Sequence, residues 1–251
     1  MSTNQIPEAV RRIFTETFTA RDVAEPLASF DAGTPAAEVR AFMNTHDFEV
    51  VGVRQAGRVA GYVRRSFLEN GACGDYSRAI EESQWLQDTA PLLKVLTALS
   101  GDPILFVNTL GGIGGIITAA DIQKPPVRMW LFGIVTLVEM RCAELIERHC
   151  PDDSWKQYLS EGRLQKAQAL LVERTRRNQS LRLFDCLQFS DKGQIIARNE
   201  ELRSNTIFTS RRQVEDAVSK LEQLRNNLAH AQDIPTSDWD TVVQLCAFIK
   251  R

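Results

Sequence analysis

The sequence predicts an α+β chain in which tandem β-α-β-β-α repeats are followed by an all-α helical bundle. Three observations carry that prediction. A block recurs in the first half at an offset of 55 residues, two adjacent prolines (Pro125 and Pro126) separate the halves, and beyond them apolar residues fall at helical spacing. The expected domains are residues 1–126, a repeat pair, and residues 127–251, a helical domain.

The repeat emerges when Thr34 is laid on Thr89. Thr34-Pro35 opens PAAEVRAFMNTHD and Thr89-Ala90-Pro91 opens LLKVLTALSGD, each a short helix with a Thr or Asp available as N-cap and a proline near its first turn. Asp47 then matches Asp102. An apolar strand follows in each copy (FEVVGV and PILFV), then a turn (Gln55 to Gly57, and Asn108 to Gly112) and a second strand (RVAGYV and GIGGIIT). Each copy closes on a short helix, RRSFLEN or AADIQ, and is preceded by a short extended segment, Leu27 to Phe30 or Trp85 to Gln87. A unit of this size closes a poor core alone, so two copies should pack through their sheets.

Composition narrows the class. Hydrophobic content of 43% and charged content of 25% are ordinary for a globular chain. The net charge of −2 excludes a globally basic nucleic-acid binder. Residues 1–126 carry 11 Lys/Arg against 15 Asp/Glu and residues 127–251 carry 19 against 17, so the second half is mildly basic and does not oppose an anionic partner. Cys73, Cys142, Cys150, Cys186 and Cys246 form no CxxC pair, which points to reduced thiols. The first residues, MSTNQIPEAVRR, lack an apolar signal core, and the most apolar run, Met129 to Val138, is too short to span a bilayer. A cytoplasmic protein with no membrane partner is the expectation.

In the second half, VRMWLFGIVTLVEMRCAELIERHC reads as a long helix buried on most of its surface, in a bundle core or a dimer interface, and ended by Pro151. A second helix is expected from Ser154 through LQKAQALLVERTRR. Between Asn178 and Phe208 a turn is expected at Asp191-Lys192-Gly193. From Ser210, which has capping-box spacing to Gln213, a helix carries the stripe Val214, Ala217, Val218, Leu221, Leu224 and Leu228. A last helix is expected over Asp238 to Arg251. Near the end of the striped helix stands Arg225-Asn226-Asn227-Leu228-Ala229-His230. Arg225 lies beside the stripe, at a packed edge or an interface, and Asn226 and His230 are i and i+4. A cation beside an amide and an imidazole can form a phosphate site. The alternatives are an Arg225 paired with Glu222 or Glu139 and a His230 favoured by the helix dipole.

Two family resemblances follow from these residues. Gly115-Ile116-Ile117-Thr118-Ala119-Ala120-Asp121 resembles the signature of the cystathionine-β-synthase (CBS) domain, a module used in pairs that commonly bind adenine nucleotides. The resemblance covers roughly the first 125 residues. It implies AMP, ADP or ATP as a regulatory ligand, with Thr118 at the phosphate or ribose, Asp121 at the ribose diol, Pro103 and Ile104 flanking the base, and Gly115 in the motif. Thr-x-x-Asp is equally an ordinary helix cap. The first copy has Arg64 where Thr should be and Phe67 where Asp should be. Its site is degenerate unless Arg64 or Arg65 reaches a bound phosphate. The Arg225-Asn226-x-x-Ala229-His230 string resembles the Arg-x4-His motif of the HEPN superfamily. That implies a metal-independent endoribonuclease acting as a homodimer on RNA, with His230 as acid/base, Arg225 stabilising the phosphorane and Asn226 orienting it. The alternative is a helical domain that only dimerises or binds a partner.

Other patterns carry less. Cys142, His149 and Cys150 share a helix face but lack the fourth ligand that structural zinc needs, so no metal is expected. The glycine-rich 111–115 segment lacks the Lys-Ser/Thr of a P-loop and reads as a hairpin turn. Arg174, Arg176 and Arg177 read as a solvated face that could hold an RNA backbone.

Overall fold

The structure, a computed structural model, describes residues 7–230, 232–235 and 239–249. It is α+β, as the sequence predicts. The described residues divide into two compact units: residues 15–127, and residues 7–14 together with those from Arg128 onward. In chain order the strands are β1 (Glu25–Pro26), β2 (Ser29–Asp31), β3 (Val50–Gln55), β4 (Arg58–Arg64), β5 (Arg78–Ala79), β6 (Trp85–Gln87), β7 (Ile104–Thr109) and β8 (Gly112–Thr118). The α-helices are α1 (Glu8–Arg12), α2 (Ala36–His46), α3 (Leu92–Leu99), α4 (Pro125–His149), α5 (Glu161–Arg176), α6 (Phe189–Arg198), α7 (Glu200–Ser204), α8 (Arg211–Ala229) and α9 (Trp239–Ile249).

The repeat unit forms two four-stranded sheets, in the orders β2-β3-β4-β5 and β1-β8-β7-β6. Each sheet therefore takes one edge strand from the other repeat. β1 precedes the first repeat yet pairs antiparallel with β8, and β5 follows the first repeat's hairpin yet completes its sheet against β4. The exchanged segments obey one pattern. Ala20 N–H donates to Ala90 O (2.8 Å) and Arg21 N–H to Asp88 O (2.9 Å); Cys73 N–H donates to Thr34 O (2.8 Å) and Gly74 N–H to Ala32 O (2.9 Å). The repeat is thus longer than the matched block, opening on the 3₁₀ turns Ala20–Asp22 and Cys73–Tyr76.

This exchange also replaces the expected helix caps. Thr34 does not cap α2; Pro35 and Pro91 occupy the N-cap positions, with no side-chain hydrogen bond. The first helical N–H groups are instead satisfied by the exchanged segments, Ala36 N–H by Gly71 O and Leu92 N–H by Phe18 O, both at 2.9 Å. A side-chain acceptor is unnecessary where a backbone carbonyl already fills the role.

The strands are apolar on both faces because both are covered. Val51, Val53 and Val63 pack with Ala36, Val39 and Met43 of α2. On the opposite face Val50 and Tyr62 pack against Ile104 and Phe106 of the second repeat, the Tyr62 and Phe106 rings lying 5.1 Å apart. Both hairpins turn through two residues with positive φ, Ala56-Gly57 and Leu110-Gly111, as two-residue hairpin loops require. The closing helices of both repeats shrink to 3₁₀ turns, Arg65–Phe67 and Ala119–Gln123.

Pro125 and Pro126, which stand just before the last residue of the repeat unit, form the first turn of α4, where a missing N–H costs nothing, rather than a break before it. Trp130, Leu131, Ile134, Val135, Leu137 and Val138 are buried, and Trp130 Nε1 donates to Phe14 O at 2.6 Å. The helix expected from Ser154 begins at Glu161. Residues Pro151–Tyr158 instead form 3₁₀ turns, interrupted by left-handed Asp152 and Asp153. The turn expected at Asp191-Lys192-Gly193 is helical and lies inside α6. Asp191 there accepts from Gln188 N–H as a capping residue (2.9 Å), and Gly193 is a contact residue, since a Cβ on it would lie 2.5 Å from Val218 Cγ2. Ser210 and Gln213 form the predicted capping box of α8, and Val214, Ala217, Leu221 and Leu224 are buried. α9 covers the core of the last predicted helix; Asp238, Lys250 and Arg251 lie outside the described residues.

Candidate functional site

In the repeat unit, the chemistry gathers at the two ends of the face between the sheets. Ile104 opens β7 directly opposite Thr118, the last residue of β8. Ile104 belongs to the inter-repeat core, so Thr118, its cross-strand partner, stands at the end of that core's face. Asp121 follows within the 3₁₀ turn and is 6% exposed. Its Oδ2 accepts from Thr118 N–H (2.6 Å) and from Thr118 Oγ1–H (3.0 Å), while Oδ1 meets Lys124 Nζ at 2.6 Å. Lys124 also reaches Val23 O (2.8 Å) and Glu25 (2.9 Å). Burial opposes the lysine charge, but the bonds to Asp121 and Glu25 outweigh it and hold the Lys124 pKa above that of a free lysine.

Ile104, Thr118 and Asp121 thus converge, with Pro103 exposed beside them. Gly115 does not sit at this end: it faces Pro26 of β1, and a Cβ there would lie 3.1 Å from Val107 Cβ and 3.4 Å from Glu25 O. Its smallness seats the exchanged strand. The cap also narrows what the pair can offer a ligand. Thr118 spends both its N–H and its hydroxyl proton on Asp121, at the start of a 3₁₀ turn of only five residues. Asp121 Oδ1 retains an acceptor direction for a ribose hydroxyl, and the Thr118 oxygen retains lone pairs. Thr19 and Asp22 repeat the same bonds at the same 2.6 and 3.0 Å, so the Thr-x-x-Asp geometry is that of a cap wherever the exchanged segments need one. Lys124 and Glu25 escaped the sequence reading. Lys124, three residues past Asp121, was visible as an i,i+3 pair, whereas nothing in the sequence links Glu25 to β8.

At the first-repeat end, Arg64 holds the position corresponding to Thr118, opposite Val50 as Thr118 is opposite Ile104. Arg65 is bound by Asp47 (3.1 Å) and by Glu49.

In the helical unit, Arg225, Asn226 and His230 are all exposed. Arg225 was expected at a packed edge or an interface; its position one residue past buried Leu224 turns it away from this chain's core and leaves it exposed. Both carboxylates considered as its partners are engaged elsewhere: Glu222 accepts from Ser190 N–H (3.1 Å) and Glu139 pairs with Lys192 (2.9 Å). His230 is the first residue beyond α8, its N–H bonded to Asn226 O at 3.0 Å. The helix end is held by a residue the sequence did not flag. The Arg128 guanidinium of α4 donates to the carbonyls of Asn227 (3.0 Å), Leu228 (3.4 Å) and Gln232 (2.9 Å). A cation on the last carbonyls of a helix complements its dipole. Replacing Arg128 with Met should cost about 1.5–3 kcal/mol in urea unfolding, the range for hydrogen bonds from a charged group, and should speed amide exchange in the last turn of α8. Unchanged exchange there would show that the cap is dispensable.

The other candidates are structural. His149 Nδ1 lies 3.0 Å from Glu201, and Cys142 is fully buried with its thiol pushed up to about 12 by that burial. Arg177 pairs with Glu173, and Arg174 binds Gln179. Among the described residues no three His, Cys, Asp or Glu side chains converge as metal ligands, and no helix is long and apolar enough to cross a membrane.

The fold and sites define a strand-exchanged repeat pair joined in sequence to a helical unit. No protein-family model matches the sequence, and a search of curated proteins finds no match. Among solved structures, an uncharacterized conserved protein from Pyrococcus horikoshii is similar at 18% identity, covering 42% of this chain and 89% of that one, with a TM-score of 0.38. The CBS domain of a bacterial CNNM/CorC family Mg2+ transporter in complex with ATP is similar at 12% identity, covering 47% and 92%, with a TM-score of 0.39. CBSX2, a CBS-pair protein from Arabidopsis thaliana, in complex with AMP is similar at 16% identity, covering 42% and 93%, with a TM-score of 0.37.

Proposed function

We propose that the repeat unit binds an adenine nucleotide at the end of its inter-repeat face and that occupancy regulates the helical unit. The observation that carries this reading is the Ile104–Thr118–Asp121 end. It joins an apolar flank for a base to a buried carboxylate with one acceptor direction still open to a ribose hydroxyl. Lys124 supports the regulatory half. It binds Asp121 and is the residue immediately before Pro125, the first residue of α4, so a ligand that draws on Asp121 disturbs the helix start through the chain itself. The test is thermal unfolding with AMP, ADP and ATP. A rise in melting temperature that Asp121→Ala abolishes supports the site, and a rise equal in both proteins rejects it.

For the helical unit we propose a metal-independent endoribonuclease that works as a homodimer. His230 would take the proton of an RNA 2′-OH as that oxygen bonds to the adjacent phosphorus and the bond to the 5′ oxygen breaks, the departing 5′ oxygen taking a proton from water, while Arg225 would stabilise the charge gathered on phosphorus. Exposure of both side chains, with no carboxylate among the described residues drawing on Arg225, supports the reading. One observation favours a non-catalytic unit that only dimerises or binds a partner: among the described residues no side chain orients the His230 ring, whereas a general base is usually held by a neighbour.

A further inference from the structure

We infer that the first-repeat end of the inter-repeat face is a second anion site, built on Arg64, which takes a phosphate group rather than a nucleoside. It shares with the preceding reading only the surface involved, and does not depend on a nucleotide at Thr118 and Asp121. Arg64 ends β4 opposite Val50 and two residues past Tyr62. Val50 and Tyr62 both belong to the inter-repeat core, so the alternation of the strand directs Arg64 to that same face. The repeat unit has three half-buried arginines, Arg54, Arg64 and Arg65. Arg54 is paired with Asp31 (2.9 Å) and Arg65 with Asp47 and Glu49. Arg64 has no carboxylate partner among the described residues, and its Nε is buried without a hydrogen bond.

The Arg64 guanidinium is half-buried with its Nε withdrawn from water and no counter-ion among the described residues, an arrangement that an anion relieves. A second cation stands nearby on the same face. Arg78 of β5 lies opposite Tyr62, exposed and without a carboxylate partner among the described residues, its guanidinium 4.5 Å from the centre of the Phe67 ring. Two guanidinium forks on one face suit a phosphoryl group. The residue in the position of Asp121 is Phe67, which offers no carboxylate to a ribose diol. Of the two arginines that the sequence left open, Arg65 is spent on its own carboxylates and Arg64 is available.

The test is titration of the full chain with inorganic tripolyphosphate, ATP and adenosine, for the wild type and for Arg64→Gln, Arg65→Gln and Asp121→Ala. Tripolyphosphate should bind the wild type and Asp121→Ala alike, weaken with added salt, and bind Arg64→Gln roughly tenfold or more weakly, as expected when a charge-assisted fork is lost. ATP binding that persists in Asp121→Ala and is lost in Arg64→Gln would sink the nucleotide reading at Thr118 while upholding this one; adenosine should show no dependence on Arg64. Absence of tripolyphosphate binding to the wild type overturns the inference. So does equal weakening in Arg64→Gln and Arg65→Gln, which would indicate diffuse charge. Arg64→Gln should melt where the wild type does without ligand, which separates lost binding from lost folding.

Discussion

Gly61→Ala should lower the melting temperature of the repeat unit by roughly 5–20 °C, about 1–3 kcal/mol of overpacking in a domain of this size. Gly61 lies opposite Ala79 in the pairing of β4 with the exchanged strand β5. A Cβ there would stand 2.5 Å from the Arg78 carbonyl oxygen and closer still to Ser77 Oγ. Backbone cannot step aside as a flexible side chain can, so the strand must retreat or the pairing must break. Gly115 is its counterpart against β1, but its Cβ would come no nearer than 3.1 Å to its neighbours. Gly115→Ala should therefore cost clearly less. Equal losses at the two positions, measured by calorimetry, would contradict the asymmetry of the two exchanged strands.

His230→Ala should reduce RNA cleavage by roughly 10²–10⁴-fold, the usual contribution of a positioned acid/base group, in buffer containing EDTA. Because His230 and Arg225 are exposed and pack against no core, neither His230→Ala nor Arg225→Ala should change stability by more than about 0.5 kcal/mol. The combination separates chemistry from folding. Cleavage retained by His230→Ala assigns the activity elsewhere. A wild type inert towards single-stranded and structured RNA leaves the partner-binding reading in its place.

What could be read in advance follows from how local each signal is. The hairpins were legible because apolar alternation and a Gly turn specify a strand pair over about a dozen residues. The capping box of Ser210 and Gln213 was legible for the same reason, since both halves lie within one turn. The strand exchange was not legible. Glu25–Pro26 and Arg78–Ala79 are two-residue strands whose partners lie far along the chain, and no periodicity marks them. The missing helix caps share that cause, because the acceptors for Ala36 and Leu92 come from the exchanged segments. Asp191-Lys192-Gly193 misled by composition: turn residues in sequence, they serve a helix in which Asp191 caps and Gly193 admits Val218.

At the candidate sites, the residue types were legible and their occupancy was not. Thr118 and Asp121 were found by pattern, but only the structure shows them bonded to each other and to Lys124. Arg225 and His230 were likewise found, while Arg128, which fixes the helix end they occupy, lies roughly a hundred residues earlier in sequence.

The central claim, that a nucleotide at the repeat unit alters the helical unit, is tested most directly by amide hydrogen exchange across the chain with and without saturating ATP. Exchange should slow around residues 104 and 118–124, together with a change in the first turns of α4 and in the last turn of α8, all absent in Asp121→Ala. ATP-dependent protection confined to residues 15–124, with α4 and α8 exchanging as before, would contradict it.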